Sequence, residues 1–350
     1  MNRGKKIQFS LGYNFDQNLI TKVSELNSKY NNIGNINEFF AALPISPYPS
    51  ARPNNKIKNI SIHELELQIK IMQEHKIIFT YLFNGNYDLN KVDKKKLKDF
   101  LNVLFEIGIN QLIVYSPELC NFIKKINHNF KITISSVFNV RTTKQIDKAY
   151  KAGADFISLD SIFLNRNFSL LRELKEHAMI PLKLYANLSC LSQCNKKDHH
   201  YKVISSIQDN LYQEKKIDEF FSYCSTEKLK NPVQWLQMQW IRPEDVKTYA
   251  KEGYTHFKLS DRLAPTENLI LISKCYLKGK SPINLFPLME RNAIKYKKLS
   301  LNINKPPLFI DNSKIPNNFI DHFRIDGCTS TNIECPYCNQ IAEKAIKKSI

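Results

Sequence analysis

The stretch KAYKAGADFISLD, residues 148–160, decides the fold: a polar helical run stops at Gly153 and gives way at once to a short apolar strand. The same grammar returns in LFEIGINQLIVYS, residues 104–116, at Gly108, and in AKEGYTHFKLSD, residues 250–261, at Gly253. Glycine takes the left-handed conformation that closes a helix, so each copy is a helix stop placed directly ahead of a buried strand. Outward from these copies, short apolar runs alternate with amphipathic stretches. They give strand candidates at 7–11, 38–43, 77–83, 111–115, 132–137, 156–159, 182–186 and 256–259. Eight strands separated by helices predict an α/β fold, a (β/α)8 TIM-type barrel over residues 1–280.

Helix starts agree with this register. Ser116 and Pro117 precede Glu118, and Arg242 and Pro243 precede Glu244 and Asp245; proline is tolerated in a first turn, and acids there offset the helix dipole. Cys120, and Cys275 in a helix expected over 266–277, are predicted to be small buried hydrophobes. After Lys280 the alternation fades and prolines gather at 282, 287, 306, 307 and 316, so residues 281–350 are expected to form a carboxyl-terminal extension.

With 43% hydrophobic residues in 350, the chain has ample material for a core. No run of about 18 apolar residues and no signal-like start occurs, which predicts no membrane span and a cytoplasmic location. The net charge of +18 raises the question of RNA. The lysine groups, at 94–96, 124–125, 196–197, 215–216, 297–298 and 347–348, are dispersed along the chain, which favours solvated helix faces over a nucleic-acid footprint.

In a barrel of this kind, function sits on the loops beyond the carboxyl ends of the strands. Those loops carry Gly12, Tyr13 and Asn14; Arg52; Asn84 and Asn86; Asp160 and Arg166; Asn187, Cys190, Cys194 and His200; and Asp261 with Arg262. Together on one rim they predict a site for a polar ligand. Cys190 and Cys194 directly follow a strand, and Cys224 with His200 nearby makes the group metal-like. Zinc would use these thiols structurally, whereas an iron–sulfur cluster would use them chemically, and their place on the functional rim favours the cluster. In the tail DGCTSTNIECPYCNQIAEKAIKK, residues 326–348, Cys335 and Cys338 have the spacing that lets two sulfurs reach one metal, with Cys328 close by. These thiols can complete the first cluster, hold a separate metal with an outside ligand, or form a redox pair; the first is favoured.

Five segments carry a resemblance to a known family: EFFAALPISPYPSARP (38–53, with Arg52), FTYLFNGN (79–86, with Tyr81 and Asn84), YKAGADFISLDSIFLNRNFSLLREL (150–174, with Arg166), YANLSCLSQCNKKDHH (185–200) and WIRPEDVKTYAKEGYTHFKLSDR (240–262). In order and spacing they resemble the U32 peptidase-like proteins, TIM-type barrels of which several carry iron–sulfur clusters. The family includes oxygen-independent hydroxylation proteins acting on a quinone precursor or on RNA bases, and proteins named as peptidases. The resemblance implies cluster ligands at Cys190, Cys194 and Cys224, with Asn187 and His200 in recurrent polar positions. The chain departs from it at Asn195 and Lys197, where proline and arginine are expected; lysine lacks the planar fork of arginine for anions.

These features predict an iron–sulfur enzyme carrying a [4Fe–4S] cluster, or alternatively zinc, with Cys338 as fourth ligand and Cys335 or Cys328 as substitutes. The expected reaction is an oxygen-independent hydroxylation or related redox modification of a polar small molecule or nucleobase. The alternatives are a peptidase, for which no H-E-x-x-H or G-x-S-x-G motif is found, and a noncatalytic cluster-bearing subunit with an RNA or protein partner. Arg52, Arg166 and Arg262 are expected to converge on an anionic ligand, with Asn14, Tyr81 and Asn84 orienting its neutral part. The bland alternative pairs each arginine with a loop acid such as Asp160 or Asp261.

Overall fold

In the computed structural model, which describes residues 6–30, 33–192, 194–206, 210–290, 307–328 and 334–348, eight parallel strands close into a ring in sequence order. They are β1 (Ile7–Gly12), β2 (Gly34–Ala41), β3 (Ile78–Phe83), β4 (Gln111–Val114), β5 (Lys131–Ile134), β6 (Phe156–Ser158), β7 (Leu182–Tyr185) and β8 (His256–Leu259). The last pairs with the first, Gln8 opposite His256 and Leu11 opposite Leu259. Lys297, Lys298 and Pro306 lie outside the described residues.

All eight expected strands are present. β2 starts earlier than its hydrophobic pattern indicates because Asn27 of the preceding helix clamps Ile36, donating to its carbonyl and accepting from its amide, both at 2.8 Å. β5 ends earlier because the Ser135 hydroxyl accepts from the Val137 amide at 3.2 Å and starts a tight turn. Gly108, Gly153 and Gly253 have φ of +91°, +89° and +87°, which a residue with a Cβ adopts only with strain. The Ser116 hydroxyl caps the helix Pro117–Ile126 by accepting from Leu119 N at 3.3 Å. Cys120 and Cys275 are buried within helices, as expected.

Strand register decides what faces the inside. Ser10 pairs with Glu38 on one side and with Lys258 on the other, and Lys258 pairs with Tyr185. Residues opposite one another share a face, so these side chains line the interior. There Glu38 accepts from Lys183 at 2.9 Å and from Ser10 at 2.7 Å, a buried ion pair across the ring. The intervening positions point outward into the layer under the helices.

The extension packs against the outside of the barrel. Its strands β9 (Leu308–Ile310) and β10 (Ile346–Lys348) pair antiparallel, and the helix Pro336–Ala345 joins them to the core. Arg242 donates to Pro316 O at 3.2 Å, and Arg172 donates to Arg324 O at 3.4 Å. Among the described residues, no helix is long and apolar enough to cross a membrane.

Candidate active site

At the carboxyl end of the strands a narrow pocket of about 40 Å³ opens over the interior side chains of Phe40, Leu82, Tyr185 and Lys258. Its wall is built by residues beyond the strand ends: Arg52 after β2, Asn84 after β3, Tyr201 in the helix Lys197–Ile204 after β7, and Asp261 and Arg262 after β8. Asn187, at the end of β7, is tied to the end of β8: its Oδ1 accepts from Ser260 N at 2.8 Å and its Nδ2 donates to Ser260 O at 3.3 Å. The two loops that carry the thiols and Arg262 are thereby held at one height on one rim.

The arginines divide. Arg52 and Arg262 meet at the pocket, Arg52 donating to Asp261 at 3.3 Å and Arg262 to Ser50 Oγ at 2.6 Å. Burial and the neighbouring Arg52 push the Arg262 guanidinium down to about 9, and its buried Nη1 has no hydrogen-bond partner. Arg166 does not join them. Its Nη1 donates to Leu236 O, and its guanidinium lies over the rings of Phe323 at 4.6 Å and Phe319 at 5.2 Å, facing the extension. The acid proposed to brace it, Asp160, is held instead by Arg141 at 2.6 Å and by Lys197. Lys197 is therefore committed within the fold rather than presented to an anion.

Asn84 lines the pocket, accepting from Ala51 N at 3.1 Å and donating to Ser135 Oγ at 3.4 Å. Tyr81 does not: it lies between the inward-facing Thr80 and Leu82, so it points outward. It packs on Phe100 at 5.6 Å while its hydroxyl accepts from Leu43 N at 3.0 Å. Asn14 braces the loop after β8, donating to Ala264 O at 3.1 Å and to Thr266 Oγ1 at 3.0 Å. It faces a second, outer cleft of about 270 Å³ whose wall includes Lys56, Lys58 and, shared with the first pocket, Arg262. His200 stacks on Phe220 at 4.8 Å and is not part of the pocket wall.

The sequence reading missed Glu38, Lys183, Lys258, Tyr185 and Tyr201. A signal existed: Glu38, Lys183 and Lys258 are charges inside strand patterns, where a solvent-facing position is not available. Burial, with Lys183, Arg262 and Arg52 around it and Glu38 opposing, pushes the Lys258 amine down to about 7.

Two groups of three thiols occur. Cys190, Cys194 and Cys224 lie within electrostatic reach of one another; burial first, then the other two thiols, push Cys190 up to about 12. Lys228, buried and paired with Glu290 at 3.2 Å, adds positive charge beside them. Thiols whose ionised forms repel one another are a donor set that a shared cation relieves, so their chemistry fits a metal or cluster. Among the described residues, however, no group of three or more His, Cys, Asp or Glu side chains is arranged to hold a metal ion. Cys338 sits apart from this trio. Its neighbours are Cys335, Cys328 and the Arg166 guanidinium, because the helix Pro336–Ala345 that carries it docks on the flank of the barrel. The expected role of Cys338 as fourth ligand, with Cys335 or Cys328 as substitutes, finds no support in this packing.

Gly12 joins β1 to this site. A Cβ there would fall 2.5 Å from the backbone nitrogen of Arg262. Gly12→Ala is expected to displace the β8 loop, costing about 1–3 kcal/mol as overpacking does, read as a lowered urea midpoint.

Residues 47–176 match the model of peptidase family U32. An uncharacterized protease of Methanocaldococcus jannaschii is 24% identical over 297 residues, covering 82% of this chain and 82% of its own. The solved structure of the U32 peptidase Mk0906 superposes with a TM-score of 0.51 at 12% identity, covering 75% of this chain and 95% of that one. At that identity the likeness shows the shared barrel fold.

Proposed function

We propose, from the premise that the chain is a U32 peptidase-like barrel, that it is an iron–sulfur enzyme modifying a polar small molecule or nucleobase at the barrel mouth. An oxygen-independent hydroxylation or a related redox step is the reaction that fits. The observation carrying this reading is Tyr201: it lines the pocket and lies within electrostatic reach of both Cys190 and Arg52. Cys190 and the cationic pocket are thereby linked through one side chain.

A cluster held by Cys190, Cys194 and Cys224 would supply one-electron transfer when bound; zinc is the alternative for the same thiols. The chain itself does the rest. Arg52 and Arg262 hold an anionic or strongly polar group, since guanidinium bonds to carboxylate or phosphate are paired and directional. Asn84 and Asn187 fix the walls, and Phe40, Leu82 and Tyr185 keep the floor apolar. Proteolysis is the second reading, favoured by the name of the family and of the archaeal relative.

Anaerobic purification followed by visible and electron paramagnetic resonance spectroscopy tests the proposal. A broad visible absorption bleached by dithionite, with a paramagnetic signal in one redox state, is expected. Colourless protein that carries zinc, or none that takes up iron and sulfide on reconstitution, overturns it. Cleavage of a peptide by such iron-free protein would establish the second reading.

A further inference from the structure

Lys258, the penultimate residue of β8, has its Nζ 3.9 Å from the Phe40 ring centroid and 5.6 Å from that of Tyr185. The carboxylates that would ordinarily anchor such an ammonium are engaged elsewhere. Glu38 is bound by Lys183 at 2.9 Å and Ser10 at 2.7 Å, and Asp261 is bound by Arg52 at 3.3 Å. Beside Lys258 stands Arg262, 6% exposed, with its buried Nη1 unpartnered. The pocket thus presents an amine over two aromatic rings and, next to it, a guanidinium whose Nη2 donates to Ser50 Oγ while its Nη1 has no partner.

We infer that Lys258 is a carbonyl-capturing residue, forming an imine with the reacting end of a small 2-oxo acid or aldehyde acid whose carboxylate is held by Arg262 and Arg52. This rests on the reading of the mouth as an anion site and is independent of the cluster. A carboxylate bonded directly to a carbonyl carbon is the group that meets both features at once: its charge answers the guanidiniums and its electrophilic carbon lies one bond away. The narrow floor of the pocket, with room for about three waters, takes those few atoms.

An amine attacks carbonyls only when neutral, and burial beside other cations is the standard way to make it so. The groups that face Lys258 are Glu38 of β2, Lys183 and Tyr185 of β7, Arg52 after β2 and Arg262 after β8. Burial dominates, the cations add to it and Glu38 opposes, leaving the amine near 7. In the reaction the nitrogen lone pair forms the C–N bond, the carbonyl π pair moves to oxygen, and that oxygen leaves as water with both amine hydrogens. No oxidant or reductant is consumed.

The test is reductive trapping of the full-length protein with glyoxylate and cyanoborohydride at pH 7, mapped by peptide mass spectrometry. A reduced adduct on Lys258 is expected on the order of 10³-fold faster than on exposed lysines, which are almost wholly protonated there. Its rate should climb as the pH is raised through about 7. Lys258→Met removes the adduct, and Arg262→Met slows capture of glyoxylate by about 10-fold or more relative to a neutral aldehyde of similar size, which itself slows only as far as losing the neighbouring cation raises the Lys258 amine. Labelling confined to surface lysines overturns the inference, from the native protein alone should the variants fail to fold. Equal capture of glyoxylate and the neutral aldehyde overturns the assigned substrate class and with it the anion site. Iron content of the same sample reports on the cluster separately.

Discussion

Serine in place of Cys190, Cys194 or Cys224, one at a time, is expected to strip the anaerobically purified protein of iron and visible colour while leaving the barrel folded. A serine hydroxyl is a poor stand-in for a thiolate toward iron, so one loss suffices to empty a three-thiol set. The fold tolerates the change because these residues lie beyond β7 and in the helix Asn210–Lys230, outside the strand ring, and are only half-buried. Iron and sulfide per chain, with circular dichroism as the folding control, make the measurement. Serine at Cys338, Cys335 or Cys328 is expected to retain iron, since those thiols neighbour Arg166 and one another. Full iron in Cys190→Ser or Cys194→Ser sinks the cluster, and loss of iron in Cys338→Ser would return the tail to it.

Glu38→Ala is expected to be the most destabilising single change in the ring. Its carboxylate is the acid that holds Lys183 inside the barrel, with side-chain exposures of 9% and 6%. Removing one member of a buried pair leaves the other charge uncompensated, at a cost of about 3–5 kcal/mol. Glu38→Ala combined with Lys183→Met should recover most of that, because an apolar replacement of both partners avoids the stranded charge. Urea midpoints of the two variants decide the matter; equal loss in both would mean that packing rather than charge governs the site.

The same pair sets an acid limit. Burial alone would raise the Glu38 carboxyl, but Lys183, then Ser10, overcome it and hold it below its ordinary value. A carboxyl depressed in the folded state adds stability that is fully present above about 4.3, its value in an unfolded chain. That contribution drains away as the pH falls through the lower folded value. Lys258 acts in the opposite region: with its folded value near 7, the unfolded chain binds the extra proton between about 7 and 10.4, so its burial penalty is relieved as the pH rises there.

Much of the architecture was legible because it rests on local chemistry. Gly108, Gly153 and Gly253 stop helices wherever they occur, and Ser116 with Pro117 starts one regardless of what packs later. Side-chain direction was not legible. In a closed ring both faces of a strand are buried, so the run around Tyr81 carries no polar–apolar alternation to say that Thr80 and Leu82 face in and Tyr81 faces out. Arg166 was lost for another reason: its direction is set by Phe319 and Phe323, far along the chain, whose docking no local pattern announces. Conversely, Arg52, Arg262, Asn84 and Asn187 meet on one rim because each lies in the segment beyond the carboxyl end of a strand, and that rule needs only the strand order.

The seam between β1 and β8 joins residue 8 to residue 256. A ribosome adding about 5–20 residues per second leaves β1 waiting on the order of ten seconds to a minute for the partner that covers its open side. During that interval the nascent chain carries an unpaired strand edge, the kind of surface that recruits other chains. Recovery of folded protein is then expected to depend on how well β1 is shielded during synthesis as well as on the strength of the finished ring.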